Sequence, residues 1–236
     1  MSNAGDKIKV KNSSWSFKGK NLAKRFKDHI GKSVPLYNES HKLVIDYSDF
    51  FIKDGSICYD IGCSVGNFLN SLSKHHYGKK SQFIGLDVQQ AMINVAKKNY
   101  AKKNLQFKKA DFLKIKCKKA DMVVSFYTAQ FIKPEKRLIF FKKIYKMLNW
   151  GGGLFLFEKI RSNDARFQDY STAVYNEFKL KNGYKPDEIF QKTRSLKGVL
   201  EPFSEQGNIN LLREAGFKDY TTIFNYINFR GLLIIK

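Results

Sequence analysis

The sequence is short of cysteine, proline and long apolar runs, and each shortage excludes a class of protein. Among 236 residues there are three cysteines and no Cys-x-x-Cys pair, so neither a disulfide framework nor a structural zinc site is indicated, and we expect no metal. No run approaches the ~18 apolar residues of a membrane-spanning helix, so we expect no membrane partner and a cytoplasmic location. With 4 prolines and 43% apolar residues, the chain is not a disordered one.

Acidic residues are also few, and the imbalance of charge is large. The 43 Lys and Arg outnumber the 21 Asp and Glu, which leaves a net charge of +22. A dense run of lysines between residues 97 and 119 is able to attract RNA phosphates. Clustered arginines and exposed stacking aromatics, which are typical of RNA recognition, are missing. Transfer RNA is therefore a secondary candidate partner that the sequence does not require.

Short apolar segments and segments of helical periodicity alternate along the chain. Residues 1–14 are polar and without period, so we expect a flexible terminus followed by a single domain over residues 15–236. Strands are predicted over 57–61, 83–87, 105–108, 122–127 and 154–158, and helices over 21–30, 41–51, 92–100 and 134–148. This alternation predicts an α/β fold with a mostly parallel, doubly wound sheet.

One stretch interrupts the alternation late in the chain. Residues 161–204 are polar, carry several aromatics and are predicted to be mostly helical, before a final helix and a final pair of strands. An insertion at this position in a doubly wound sheet is a candidate lid or dimerisation element.

The residues after the first predicted strand indicate a nucleotide-type cofactor. Asp60-Ile61-Gly62-Cys63-Ser64-Val65-Gly66-Asn67 leads from that strand into a helix, where a bound cofactor approaches the backbone. A dinucleotide fingerprint requires glycine at 62, 64 and 67, but Ser64 and Asn67 stand at two of these positions. An acidic residue that leads into a Gly-x-Ser-x-Gly turn favours S-adenosylmethionine (SAM), which needs no pyrophosphate site and carries a cationic ammonium and sulfonium.

Two more acidic residues end the next two strands in chain order. Asp87 stands where a carboxylate accepts hydrogen bonds from both hydroxyls of a ribose. Asp111 stands where a carboxylate accepts from the adenine amino group, and Phe112 beside it is able to stack on the base. Each residue alone is a weak signal because Asp commonly caps helices at such places. Together, at the carboxyl ends of consecutive strands, Asp60, Asp87 and Asp111 predict a SAM site.

Motifs spread over the chain from Trp15 onward make the prediction more specific. They are Trp15-Ser16-Phe17, Ser33-Val34-Pro35-Leu36-Tyr37, Tyr59-Asp60-Ile61-Gly62-Cys63-Ser64-Val65-Gly66, Met122-Val123-Val124, Gln130-Phe131, Asn182-Gly183-Tyr184, Gln191-Lys192-Thr193-Arg194-Ser195, Ala215-Gly216-Phe217 and Asn228-Phe229. On these motifs the chain resembles the class I SAM-dependent methyltransferases, and among them the carboxy-S-adenosyl-L-methionine (carboxy-SAM) synthase family, formerly described as tRNA (cmo5U34) methyltransferases.

The resemblance implies a fold, a reaction and a site. It implies a Rossmann-like sheet of seven strands and a homodimeric enzyme that makes carboxy-SAM from SAM and prephenate, through a sulfonium ylide that captures carbon dioxide. The product then serves to modify the wobble uridine of certain tRNAs. By the resemblance, SAM or carboxy-SAM is held by Tyr37, Gly62, Cys63, Ser64, Asp87, Val88, Asp111 and Phe112, and the pattern after the first strand adds Asp60 and Gly66.

The chain departs from the family pattern at two positions. The family has an Asn two residues past the Val-Val pair and an Arg in the insertion, but Phe126 and Thr193 stand there in this chain. Arg194 follows directly and would supply the bidentate guanidinium after a small local shift. We therefore predict Phe126 as a cofactor contact, and Tyr37 and Arg194 as the catalytic residues on either side of the sulfonium.

Two other functions remain open on the sequence alone. An ordinary SAM-dependent methyltransferase that acts on tRNA or a small acceptor is favoured by the loss of the expected Asn. A basic RNA-associating module with a vestigial SAM pocket is favoured by the lysine-rich run.

Overall fold

The computed structural model describes residues 2–3, 9–10, 15–17 and 20–236. Its elements in chain order are β1 (Ser2–Asn3), β2 (Lys9–Val10), α1 (Lys20–Ser33), α2 (Tyr37–Ser48), β3 (Ile57–Ile61), α3 (Asn67–His75), β4 (Gln82–Asp87), α4 (Gln90–Tyr100), β5 (Leu105–Lys109), β6 (Ala120–Phe126), a 3₁₀ turn (Ala129–Phe131), α5 (Pro134–Met147), β7 (Leu148–Lys159), α6 (Ala165–Lys181), α7 (Pro186–Ser195), α8 (Glu205–Ala215), β8 (Asp219–Tyr226) and β9 (Phe229–Ile235).

Seven of the strands form one sheet in the order β5-β4-β3-β6-β7-β9-β8. The first five strands of that order run parallel, and β9 pairs antiparallel with both β7 and β8. The predicted α/β fold with a mostly parallel seven-stranded sheet is therefore confirmed. The strand order reverses between β3 and β6, and in open α/β sheets ligands bind at the carboxyl ends of the strands at such a switch point.

The helices pack against apolar side chains on both faces of the sheet. Because successive strand residues point to opposite faces, β6 directs Val123 to one hydrophobic cluster, which includes Phe140 of α5 and Leu212 of α8. Its neighbour Val124 joins a second cluster, which includes Leu69 of α3. All of these side chains are fully buried. The sheet is thus fixed from both faces, and its carboxyl edge is held in place for the site.

The N-terminal elements differ in detail from the prediction. Helix α2 begins at Tyr37, four residues earlier than predicted, because Leu36 adopts a left-handed conformation (φ 52°) that separates it from α1. This start places Tyr37 in the first turn of a helix. In the terminus that we expected to be flexible, β1 and β2 pair antiparallel; the rest of residues 1–14 lies outside the described residues.

The predicted insertion consists mainly of α6 and α7. Helix α6 begins at an Asp164 cap, whose side chain accepts a hydrogen bond from the backbone N–H of Arg166, and α7 begins with Pro186 at a position that suits proline. Within the part of the chain that the structure describes, no helix is both long enough and apolar enough to cross a lipid bilayer.

Candidate functional site

A cavity of about 770 Å³ opens at the carboxyl ends of the parallel strands. The ends of β3, β4, β5, β6 and β7 form its floor, and residues of α1, α2, α6 and α7 form its walls and roof. Of the residues predicted to hold the cofactor, all line this cavity except Gly66, which lies at the start of α3. The structure therefore brings together residues that are up to 89 positions apart, from Tyr37 to Phe126.

The turn after β3 is fixed by β4. The backbone N–H groups of Gly62 and Cys63 both donate to the carbonyl of Leu86, at 2.7 and 3.0 Å, and that of Ser64 donates to Oδ2 of Asp87 at 3.0 Å. These three amides are satisfied within the protein. They are not available to a pyrophosphate, which agrees with the missing dinucleotide fingerprint.

Asp60 presents a buried carboxylate to the cavity. Its side chain is 3% exposed, and no donor among the described residues forms a hydrogen bond with it. Burial, with a smaller contribution from the charge of Asp87, raises the pKa of Asp60 to about 8. A buried carboxylate without a partner is costly, and a ligand ammonium placed beside it would remove that cost.

Asp87 and Asp111 are held in orientation by backbone groups. Asp87 accepts from Ser64 as described and also from the N–H of Gln89 at 2.8 Å. Burial nevertheless raises its pKa above the ordinary value. Asp111 accepts from the N–H of Leu113 at 3.0 Å. Each carboxylate keeps lone pairs that face the cavity, because a carboxylate has about four acceptor positions.

Aromatic rings form the wall beside Asp60. The ring of His41 contacts that of Tyr37 in the preceding helical turn, with centroids 4.2 Å apart, and that of Phe126, at 4.6 Å, and both pairs are tilted rather than stacked. Burial lowers the pKa of His41 to about 3, so its ring is neutral. Burial, followed by the charge of Asp60, raises the pKa of Tyr37. Sequence reasoning missed His41, although its position four residues after Tyr37 predicts that the two rings share a helical face.

Three of the sequence motifs meet where the insertion joins the N-terminal helices. The hydroxyl of Ser33 lies 2.8 Å from that of Tyr184 and accepts a hydrogen bond from Nζ of Lys192 at 2.6 Å. The backbone carbonyl of Ser33 also accepts from the hydroxyl of Tyr175 at 2.7 Å. These bonds tie α6 and α7 to the end of α1 and close one side of the cavity.

The structure does not bring Arg194 to the cavity. Its neighbour Thr193 lines the cavity, whereas Arg194 is exposed and is absent from the lining. Consecutive residues of a helix point about 100° apart, so the local shift that would exchange these two side chains is not present. The cationic residues that do line the cavity include Lys159 and Lys179, which sequence reasoning missed.

Asp49, His75 and His76 form a cluster outside the cavity. Nε2 of His75 lies 3.0 Å from Oδ1 of Asp49, and Nδ1 of His76 lies 3.9 Å from the same oxygen. The ligand atoms of the three residues all lie within 4.8 Å of one another. The fold thus places a carboxylate beside two adjacent histidines, Asp49 being 26 positions before His75 in the chain.

Sequence comparison finds relatives along most of the chain. Residues 58–152 match a family described as "Methyltransferase domain". A carboxy-S-adenosyl-L-methionine synthase from Staphylococcus epidermidis is 35% identical over 222 residues, which cover 94% of this chain and 97% of that protein. A second carboxy-S-adenosyl-L-methionine synthase, from Campylobacter hominis, is 36% identical over 218 residues and 92% of each chain.

Solved structures share the fold at lower identity. The plantazolicin methyltransferase BpumL, crystallised with S-adenosylhomocysteine (SAH) and a substrate analogue, matches with a TM-score of 0.67 at 14% identity and covers 92% of this chain and 91% of its own. Human N-acetylserotonin methyltransferase, crystallised with SAM, matches with a TM-score of 0.62 at 16% identity and covers 93% of this chain and 57% of its own.

Proposed function

Because this chain belongs to the carboxy-S-adenosyl-L-methionine synthase family and is a SAM-dependent transferase, we propose that it makes carboxy-SAM from SAM and prephenate. The product is an intermediate for modification of the wobble uridine of tRNA. The observation that carries the proposal is the meeting of Asp60, Asp87 and Asp111 in one cavity, at the ends of three adjacent strands.

The order of these strands gives the cofactor a direction. Asp111 follows β5 and faces the adenine, Asp87 ends β4 and faces the ribose, and Asp60 lies on β3 and faces the ammonium of the methionine part. Adjacent strands are ~4.8 Å apart, so the three carboxylates match an extended molecule that crosses three strands. The sulfonium then lies near the aromatic wall of Tyr37, His41 and Phe126.

The residues around the sulfonium are suited to exclude water. The bound SAM supplies a methyl group that its own positive charge makes acidic. Phe126 offers no hydrogen-bond acceptor, and the neutral ring of His41 carries no charge that would repel the sulfonium. An apolar, aromatic surface stabilises a cation through its rings and keeps water from competing with carbon dioxide.

The reaction is tested by the mass of the SAM-derived product. We expect the purified protein, incubated with SAM and prephenate, to form an adduct heavier than SAM by the mass of carbon dioxide, together with phenylpyruvate. Mass spectrometry of the small molecules checks this, and the matched reaction without prephenate should give no adduct. SAH together with a methylated acceptor, and no adduct, would instead identify an ordinary methyltransferase, the alternative that Phe126 favours.

Cofactor binding should depend on pH through Asp60. Its pKa of about 8 in the empty cavity means that the carboxyl is protonated at neutral pH and loses its proton when an ammonium binds. Below that pKa the dissociation constant should fall about tenfold per pH unit as pH rises, and it should level off above it. Calorimetric titration with SAH between about pH 6 and pH 9 measures this. The dissociation constant of the isosteric variant Asp60→Asn should not change with pH in this way. A wild-type dissociation constant that does not change with pH would disprove the role of Asp60.

We also propose that the protein is a homodimer that meets its partner through α6. Phe167, Tyr170 and Val174 lie at helical spacing on that helix and are 60%, 68% and 52% exposed. Exposed apolar stripes of this kind are typical of protein interfaces. The proposal follows the family resemblance, which implies a homodimer.

The proposal also includes a cytoplasmic location and direct contact with tRNA. A cytoplasmic location is supported by Cys58, Cys63 and Cys117, which are all free thiols. Direct contact with tRNA is supported by the net charge of +22 alone.

A further inference from the structure

We propose that Lys159 and Lys179 form a binding site for a carboxylate of the second substrate, at the end of the cavity opposite the adenine. The inference rests on the proposed function only for the identity of that substrate. The ligand class that the geometry selects is a small di- or polycarboxylic acid, and prephenate is a member of it.

The two ammonium groups share one aromatic ring. Nζ of Lys159 lies 4.3 Å from the ring centroid of Tyr175, and Nζ of Lys179 lies 4.5 Å from it. The hydroxyl of Tyr175 is fixed by its bond to the carbonyl of Ser33, and the backbone N–H of Lys159 donates to Oε1 of Gln130 at 2.8 Å. The pair is therefore positioned from β7 and α6 together and is not a mobile surface feature.

Neither ammonium has an anionic partner. Lys179 is 4% exposed and Lys159 is half-buried, and among the described residues no acceptor or carboxylate lies within hydrogen-bonding or ion-pairing distance of either Nζ. Glu158, the adjacent acid, accepts instead from the N–H of Ala129 at 3.1 Å and does not line the cavity. A buried cation beside a half-buried one, both without counter-charge, is unfavourable, and a bound carboxylate would offset that cost.

The surrounding charges are of the same sign. Arg161 and Lys197 line the same part of the cavity. Burial, followed by repulsion from Lys179, Arg161 and Lys197, lowers the pKa of Lys159 to about 7, and burial lowers that of Lys179 to about 8. This cluster of four cations matches a ligand with more than one negative charge.

The position on the sheet separates this site from the cofactor's own carboxylate. Asp60 and Asp87 lie on β3 and β4 and Asp111 follows β5, whereas Lys159 ends β7, two strands beyond β3. At ~4.8 Å per strand, Lys159 is about 19 Å from the adenine end in the direction of the sheet. The cofactor occupies the first part of that distance, which leaves the lysines for the molecule that reacts with it.

At the two positions where the chain departs from the family pattern, no positively charged side chain lines the cavity. Phe126 has no amide and Arg194 points away from the cavity, so neither can bind an anion there. The lysine pair supplies the positive charge at the same end of the cavity.

Replacing either lysine with methionine tests the site, because methionine keeps most of the length of the side chain and removes the charge. We expect Lys159→Met and Lys179→Met to weaken binding of prephenate to the SAH-loaded protein by about 10- to 100-fold, the loss typical of a charged hydrogen bond. SAH affinity should stay within about twofold. Lys181→Met, which removes an exposed charge two residues from Lys179 on the same helix, is the matched control and should leave both affinities unchanged.

Calorimetric titration of prephenate also distinguishes a failure of this inference from a failure of the proposed function. Equal prephenate affinity in wild type and both variants, or no prephenate binding to wild type, overturns the inference. A parallel loss of SAH affinity shows that the lysines hold the cofactor's carboxylate and overturns it too. Prephenate binding that requires the lysines in a protein that forms no carboxy-SAM supports the inference and disproves the proposed function. Wild-type prephenate affinity should fall as pH rises through about 7 to 8, because Lys159 and Lys179 lose their protons.

Discussion

Replacing Asp87 with alanine is expected to weaken SAH and SAM binding by about 100-fold, which corresponds to about 2.7 kcal/mol. In the proposed binding mode the carboxylate accepts hydrogen bonds from the ribose hydroxyls, and a bond to a charged acceptor contributes about 1.5–3 kcal/mol. The same carboxylate also accepts from the N–H of Ser64. The variant therefore loses the ribose contact and also the bond that fixes the turn after β3.

Calorimetric titration with SAH measures the change, and two variants separate its causes. Asp87→Asn keeps one acceptor oxygen and should lose less affinity than Asp87→Ala. Asp54→Ala is the control, because Asp54 also accepts a backbone N–H, that of Lys80 at 3.0 Å, but lies outside the cavity. It should bind SAH as tightly as wild type. If Asp87→Ala bound SAH like wild type, the ribose would lie elsewhere.

Sequence reasoning predicts those parts of the fold and site that local sequence patterns determine. Strand β3 was predicted to the residue, because a short apolar run between Gly55 and Gly62 leaves little choice of length. Asp60, Asp87 and Asp111 were predicted to converge because the ends of parallel strands meet at one edge of a sheet. No packing detail was needed for either.

The parts that it missed depend on how elements pack against one another. Lys159 ends β7, whereas Tyr175 and Lys179 lie on α6, and only the packing of α6 near the end of β7 brings Lys159 to the same ring. Thr193 and Arg194 are adjacent, and the rotation of α7 decides which of them lines the cavity. Four of the ten residues of α7 are charged. The periodicity of so polar a helix does not predict which of its faces turns toward the cavity.

Replacing Gly62 with alanine is expected to abolish detectable SAH binding and to lower the free energy of unfolding by about 2–5 kcal/mol. Gly62 has φ of +82°, which costs an L-residue about 1–2 kcal/mol. A Cβ on Gly62 would also lie 2.1 Å from Oγ1 of Thr128, and overpacking of this kind costs about 1–3 kcal/mol more. Chemical denaturation measures the stability, and calorimetric titration measures the affinity.

Gly55→Ala isolates the backbone part of that effect. Gly55 has the same φ of +82°, but a Cβ there has no atom within 4 Å. Gly55→Ala should therefore lose only about 1–2 kcal/mol of stability and keep full SAH affinity. Equal losses in the two variants would contradict the predicted contact with Thr128.

The contact itself is tested by the double variant Gly62→Ala/Thr128→Ala. Neither side of the contact is free to move, because the Gly62 N–H is bonded to Leu86 and Oγ1 of Thr128 donates to the carbonyl of Phe126 at 3.1 Å. Removing Oγ1 and Cγ2 leaves the Thr128 Cβ at 2.9 Å from the new methyl group, a much milder overlap. The second substitution should therefore restore about 1 kcal/mol or more relative to the sum of the single losses. Strictly additive losses would mean that the strain of Gly62→Ala lies in the backbone alone.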